Sequence, residues 1–145
     1  YVVRVMLPDE PTVVEDLLLG PLHQHPAREH GDPVIRDALG QWTYQFAVVV
    51  DDLQYGVNLI VRGEDLVAST GRQWLLARLL GRTKTLVTAH HPLLLDAEGR
   101  KLSKREGSES VRALRLRGMS AEEVRALAVT AIDSRTAGDT SRHSP

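Results

Sequence analysis

An α/β fold is the class this sequence predicts, on three observations. Two short apolar runs end at charged residues: Ala47-Val48-Val49-Val50 before Asp51-Asp52, and Asn58-Leu59-Ile60-Val61 before Arg62-Gly63-Glu64-Asp65. A helical stripe of Leu75, Leu76, Leu79 and Leu80 follows and meets a natural stop at Gly81. A further strand-like run, Leu86-Val87-Thr88, comes after it. Strand, charged turn, helix, strand is the order of an α/β sheet, in which ligands bind beyond the carboxyl ends of the strands. Asp51, Asp52, Arg62, Glu64 and Asp65 are all expected at such ends.

The elements follow in order. Residues 1–40 read as irregular, with short strands and turns, because Pro8, Pro11, Pro21, Pro26 and Pro33 interrupt any long helix. Val34-Ile35-Arg36 reads as a strand and Asp37-Ala38-Leu39-Gly40 as a turn. Residues 41–46 alternate, with Trp42, Tyr44 and Phe46 on one face and Thr43 and Gln45 on the other. That period predicts a strand continuing into the apolar run at 47–50, as buried parallel strands do. Thr70 and Gln73 have the spacing of a capping box for the leucine-striped helix. Leu93-Leu94-Leu95 leads to a turn at Asp96-Ala97-Glu98-Gly99. Residues 108–117 read as a short helix ending at Gly118. Ser120 and Glu123 repeat the capping-box spacing before a helix to about Ile132, and the last dozen residues read as a frayed tail.

Composition narrows the function. The chain has 145 residues, 42% of them hydrophobic and 26% charged, enough to build a core. It has no cysteine, which excludes a disulfide scaffold, a thiolate zinc site and a cysteine nucleophile within it. No apolar run approaches the ~18 residues of a membrane helix. A net charge of −1 hides an asymmetry: residues 1–33 carry net −4 and residues 98–117 net +4. The basic segment suits phosphate or RNA, and a solvated helix face is the plainer alternative. Only Lys84, Lys101 and Lys104 are lysine among 18 basic residues, so two fall within five positions. An ammonium is a compact point charge, suited to a crowded phosphate.

Lys101-Leu102-Ser103-Lys104-Arg105, after the turn at Gly99, resembles the KMSKS signature of class I aminoacyl-tRNA synthetases. Four other stretches precede it in the order of that family. They are Tyr44-Gln45-Phe46-Ala47-Val48-Val49-Val50-Asp51-Asp52, Val61-Arg62-Gly63-Glu64-Asp65, Ser69-Thr70-Gly71-Arg72-Gln73 and His91-Pro92-Leu93-Leu94-Leu95. Together they resemble the glutamyl branch. That branch holds glutamyl-tRNA synthetase and a shorter paralogue, the glutamyl-queuosine tRNA(Asp) synthetase, which glutamylates a modified base. Residues 40–46 and the run Asp16-Leu17-Leu18-Leu19-Gly20-Pro21 look more like the paralogue.

The resemblance implies part of a Rossmann-like class I catalytic domain with a short helical extension. Residues 1–40 are then a connecting segment, 41–107 the second half of the domain with the KMSKS-like loop, 108–133 the helical extension and 134–145 a flexible tail. It implies ATP with Mg2+ as substrate, glutamate, and a tRNA acceptor, tRNA(Asp) or tRNA(Glu). It implies a cytoplasmic enzyme, monomeric when complete, with no membrane partner. By the family's pattern Lys104 stabilises the phosphates in the transition state, within an ATP-binding stretch of Lys101, Leu102, Ser103, Lys104 and Arg105. Arg62 and Tyr44 correspond to positions that hold glutamate, and Asp51, Asp52, Glu64 and Asp65 could orient Arg62 or line the ribose. The plainer alternatives are an ion pair for Arg62 and a core role for Tyr44 beside Trp42 and Phe46.

No HIGH-like motif is present, and the chain opens at Tyr1 within an apolar run. The expectation is therefore the C-terminal part of a longer catalytic domain, inactive alone, with any zinc site in the other half. His23, His25 and His30 have a spacing open to metal but are expected as loop residues, and no metal site is expected here. His90-His91 is expected in the connection entering the Leu93 strand. A truncated homologue that binds RNA through residues 98–117 is the alternative of a different class, and an unrelated α/β domain the blandest one.

Overall fold

The computed structural model describes residues 1–93 and 110–139, with side chains described as far as residue 130. The residues divide into two units between His91 and Pro92, each taken here by itself.

The first unit is α/β. It holds β1 (Val3–Arg4), β2 (Thr12–Asp16), β3 (Leu22–Gln24), α1 (Pro26–His30), β4 (Val34–Arg36), α2 (Tyr44–Gln54), β5 (Leu59–Gly63), a 3₁₀ turn (Glu64–Ser69), α3 (Thr70–Leu79) and β6 (Val87–His91). Four strands form one sheet in the order β3-β2-β6-β5, and β1 pairs with β4 in a two-stranded sheet. β2 and β3 are antiparallel neighbours; β6 runs parallel to both β2 and β5. The register pairs Asp16 with Thr88 and Arg62 with His90. Three parallel strands therefore bring their carboxyl ends to one edge of the sheet. The turn at 37–40 forms as expected: Asp37 Oδ1 accepts from the amides of Leu39 and Gln41, and Gly40 takes φ 81°. That left-handed conformation favours glycine.

One expectation is corrected. Residues 44–54 are a helix, not a strand, and Asp51 and Asp52 sit in its later turns rather than at a strand end. Trp42 and Phe46 share a face under either period, so they do not discriminate; their rings lie 5.1 Å apart. Phe46, Val49, Val50 and Leu53 recur at helical spacing, and burial decides the matter. Val49 is buried in a core with Leu7, Leu75, Leu76 and Ala77, against which Val48 and Leu53 pack. Packing against α3 outweighs the β-propensity of three successive valines, which is a weak local preference. Thr43 is extended before the helix, and its hydroxyl donates to the Val34 carbonyl at 2.7 Å instead of capping.

The leucine stripe of α3 is half right. Leu75 and Leu76 are 1% exposed, while Leu79 and Leu80 are exposed at the helix end. Burying two leucines completely contributes about 1.5–3 kcal/mol each. Gly81 ends the helix with φ 93°. The capping box at Thr70 and Gln73 does not form. A 3₁₀ turn leads directly into α3, so Ser69 precedes the helix already in α conformation, and both side chains serve Arg62 instead.

In the second unit the described residues form α4 (Val111–Leu116) and α5 (Ala121–Asp139). Gly118 takes φ 91° between them. The capping box at Ser120 and Glu123 forms: the Glu123 amide donates to Ser120 Oγ at 3.2 Å, and the Ser120 amide to Glu123 Oε2 at 2.7 Å. Those bonds hold the Glu123 carboxyl below the ordinary glutamate range. The backbone of α5 runs past Ile132, further than expected. Among the described residues no helix is long and apolar enough to cross a membrane.

Candidate active site

The strand ends place three side chains in a row. Asp16 closes β2, His90 lies in β6 and Arg62 in β5. His90 Nδ1 and Asp16 Oδ2 are 2.6 Å apart, with both side chains fully buried. Arg62 Nε donates to His90 Nε2 at 2.9 Å. A guanidinium only donates, so Nε2 must present its lone pair and the ring proton sits on Nδ1, facing the carboxylate. Asp16 accepts three further backbone bonds, from Leu18, Leu19 and His90, and one from the Thr88 hydroxyl. Burial raises the Asp16 pKa, but the bonds from Leu19, His90, Leu18 and Thr88 outweigh it and hold the carboxyl well below the usual carboxylate range.

On its other side Arg62 is held by neutral oxygens. Nη1 donates to Gln73 Oε1 at 2.6 Å and Nη2 to Thr70 Oγ1 at 2.9 Å. Gln73 is itself oriented, donating to Gln45 Oε1 at 2.7 Å, and Gln45 donates to Ser69 Oγ at 3.1 Å. Helices α2 and α3 are thus stitched to the sheet edge through the guanidinium. Gln24 of β3 secures the start of α3, accepting from the Gly71 amide at 2.6 Å. Burial pulls the Arg62 pKa down, while Tyr44, Asp52, Asp16 and Asp65 favour its charged form. Arginine stays protonated through such a shift. Of its five N–H groups, three donate to these partners among the described residues. Burial also raises the Asp52 carboxyl, against the lowering pull of Arg82 and Arg62.

The expected site residues sort as follows. Tyr44 opens α2 and is exposed, and its link to Arg62 is a longer-range electrostatic one, with no hydrogen bond between them among the described contacts. The core role weighed for Tyr44 is not the observed one. The described hydrogen bonds of Arg62 go to neutral groups, and Tyr44 is 59% exposed. Lys101, Leu102, Ser103, Lys104 and Arg105 lie outside the described residues, as do the turn at 96–99 and most of the basic segment. His90 is not in a connection but inside β6, because its ring bridges Asp16 and Arg62. The residues missed by sequence reasoning are Asp16, His90, Gln73 and Gln45. One signal was available for Asp16, an acidic residue ending a short β-rich run, Thr12-Val13-Val14-Glu15, in the region read as irregular.

Among the described residues no group of three or more His, Cys, Asp or Glu side chains is arranged to hold a metal ion. His23 lies in β3, while His25 and His30 flank and end α1. His25 Nε2 approaches Asp9 at 3.4 Å.

The chain has relatives among known proteins. The family model for the catalytic domain of class I tRNA synthetases (E and Q) matches residues 1–137. The Glutamyl-Q tRNA(Asp) synthetase of Xanthomonas axonopodis pv. citri is 50% identical over 103 residues, covering 70% of this chain and 34% of that protein. The Glutamyl-Q tRNA(Asp) synthetase of Geobacter sulfurreducens is 49% identical over 110 residues, covering 76% of this chain and 35% of that protein. The chain thus spans about a third of the length of the curated relatives it matches. Among solved structures, the glutamate-tRNA synthetase of Elizabethkingia anophelis superposes with a TM-score of 0.61 at 32% identity, covering 74% of this chain and 22% of that one.

Proposed function

This chain belongs to the catalytic-domain family of the class I tRNA synthetases (E and Q), and we propose that it forms part of a ligase that activates glutamate with ATP and passes it to tRNA. In the activation step a glutamate carboxylate oxygen attacks the α-phosphorus of ATP. A P–O bond forms, the bond to the leaving pyrophosphate breaks, and a mixed anhydride results. In the second step a hydroxyl of the RNA attacks the activated carbonyl and AMP leaves. Neither step asks for a covalent bond to the protein, so its contribution is positioning and charge stabilisation.

The observation that carries this reading is Arg62. It is a half-buried guanidinium at a strand end, oriented by three neutral partners among the described residues. A fork held in this way suits a carboxylate. Tyr44, exposed at the start of α2, we assign to the same ligand on the family pattern. Lys104 we assign to the ATP phosphates on the family pattern, with Lys101, Leu102, Ser103 and Arg105 shaping the loop around them. Mg2+ enters this reading with the ATP phosphates, as part of the substrate.

For the acceptor we favour tRNA(Asp), supported by the identity of about 50% to relatives named Glutamyl-Q tRNA(Asp) synthetase against 32% to the glutamate-tRNA synthetase structure. Transfer to tRNA(Glu) is the second reading, favoured by that structural likeness. A cytoplasmic monomer remains the expected setting. The test is glutamate-dependent ATP–pyrophosphate exchange by the complete native polypeptide. Arg62→Ala is expected to raise KM for glutamate at least tenfold, as loss of a charge-assisted contact does, with KM for ATP little changed. Equal KM values for glutamate in the two proteins would contradict the assignment.

A further inference from the structure

We propose that Asp16 and His90 are positioning residues for substrate carboxylate binding: Asp16 selects the His90 tautomer, and His90 fixes the plane and reach of the Arg62 guanidinium. The proposal rests on the reading of Arg62 as the glutamate partner and deepens it.

A free arginine side chain samples many rotamers, and each must be given up when it binds a ligand. Here the loss is taken on folding. The three acceptors around Arg62 meet Nε, Nη1 and Nη2 separately, which leaves the planar group no rotation about its last bonds. Of these acceptors, Gln73 and Thr70 sit on α3. Only His90 belongs to the sheet that also carries Arg62, on the strand paired directly with β5. The Nε bond therefore ties the guanidinium to the rigid element beneath it.

That bond exists for one tautomer alone. With the proton on Nε2, two N–H donors would face each other across the 2.9 Å contact. Asp16 excludes this arrangement by accepting from Nδ1 at 2.6 Å. The Asp16 pocket is built for an acceptor-only group. Five donors converge on its two oxygens: the amides of Leu18 and Leu19 on Oδ1, and the His90 amide, His90 Nδ1 and Thr88 hydroxyl on Oδ2. A histidine buried merely as core filling would have no need of a carboxylate on one nitrogen and a guanidinium on the other. The arrangement matches the support that holds ligand-binding side chains in productive geometry.

The two side-chain lengths that mimic half of an imidazole separate the roles. In His90→Asn the amide reaches about as far as Nδ1, so the Asp16 bond is kept and the Arg62 acceptor is lost. In His90→Gln the carbonyl oxygen reaches about as far as Nε2, so the Arg62 acceptor is kept. In the complete native polypeptide, followed by ATP–pyrophosphate exchange, His90→Asn is expected to raise KM for glutamate on the order of tenfold, the loss typical of a hydrogen bond to a charged group. KM for ATP should stay within about twofold, and His90→Gln should recover most of the glutamate loss. Arg62→Lys is measured alongside and should itself raise KM for glutamate. If Arg62→Lys does so and His90→Asn does not, or if both His90 variants move the two KM values together, the positioning role is wrong. If Arg62→Lys leaves glutamate binding untouched, the assignment of Arg62 fails, and this inference with it. Nitrogen NMR of the His90 ring in the unaltered protein decides the matter even where variants fail to fold: a bare Nε2 and a protonated Nδ1 are expected, and a protonated Nε2 overturns the proposal.

Discussion

Replacing Asp16 by asparagine changes one oxygen to an amino group and almost no volume, yet it should cost the protein much of its stability. The carboxylate meets two donors at Oδ1 and three at Oδ2, and of these only the Thr88 hydroxyl can turn to accept. An asparagine amide has to turn its donor end toward one group or the other. Turned toward Leu18 and Leu19, it opposes two backbone amides. Turned toward β6, it opposes the His90 amide and either the ring proton or, after a tautomer switch, drives a proton at Arg62. Thr88 has an escape, because its hydroxyl also lies 3.2 Å from the Glu15 carbonyl. At least two donors are therefore left facing a donor, at about 1–3 kcal/mol each. The expected loss is roughly 3 kcal/mol, the sum of two such unsatisfied groups, against a total stability of about 5–15 kcal/mol. Urea denaturation of Asp16→Asn and the unaltered protein measures it as a fall in midpoint at constant slope. The acid limb supplies a second signature. The folded Asp16 pKa lies below the unfolded value of about 3.9, so its contribution is complete above that pH and is lost as pH falls through the range below it. That share of the acid loss should vanish in Asp16→Asn. A stability change under about 1 kcal/mol, with an unaltered acid limb, would refute this account of the pocket.

Further predictions concern other links in the chain. Gly71→Ala should destabilise by about 1–3 kcal/mol in the same urea assay, because a Cβ there would meet Gln24 Oε1 at 2.8 Å and Pro26 Cγ at 2.9 Å. Ser120→Ala removes half of the capping box of α5 and should cost about 1 kcal/mol locally. Hydrogen exchange would show it as faster exchange at the Glu123 amide with the Leu75 and Leu76 amides unchanged. Lys104→Ala should lower the rate of glutamate activation on the order of 10²–10³-fold if it meets the developing charge on the phosphates. A change under about threefold in pyrophosphate exchange would remove Lys104 from that role.

The sequence made some of this legible for identifiable reasons. The helix α3, strand β5 and the start of β6 were readable because helical spacing, a terminal glycine and apolar runs agreed with one another. Arg62 was readable as a charged residue closing an apolar strand. Helix α2 was misread because three consecutive valines suggest a strand, and burial of Val49 against Leu75 and Leu76 is a property of the assembled core. Thr70 and Gln73 had the spacing of a cap but are claimed by a stronger, charged donor, Arg62. The pairing of His90 with Asp16, 74 positions apart, depends on the register of β2 with β6, which no local pattern encodes.

The most direct test of the proposed activity is transfer of labelled glutamate by the complete native polypeptide to purified tRNA(Asp) carrying queuosine, with tRNA(Glu) as the comparison. ATP-dependent labelling of tRNA(Asp), absent from tRNA(Glu), is the predicted result. Labelling of tRNA(Glu) alone would move the protein to the translation branch, and labelling of neither RNA, with no glutamate-dependent pyrophosphate exchange, would contradict the proposed activity outright.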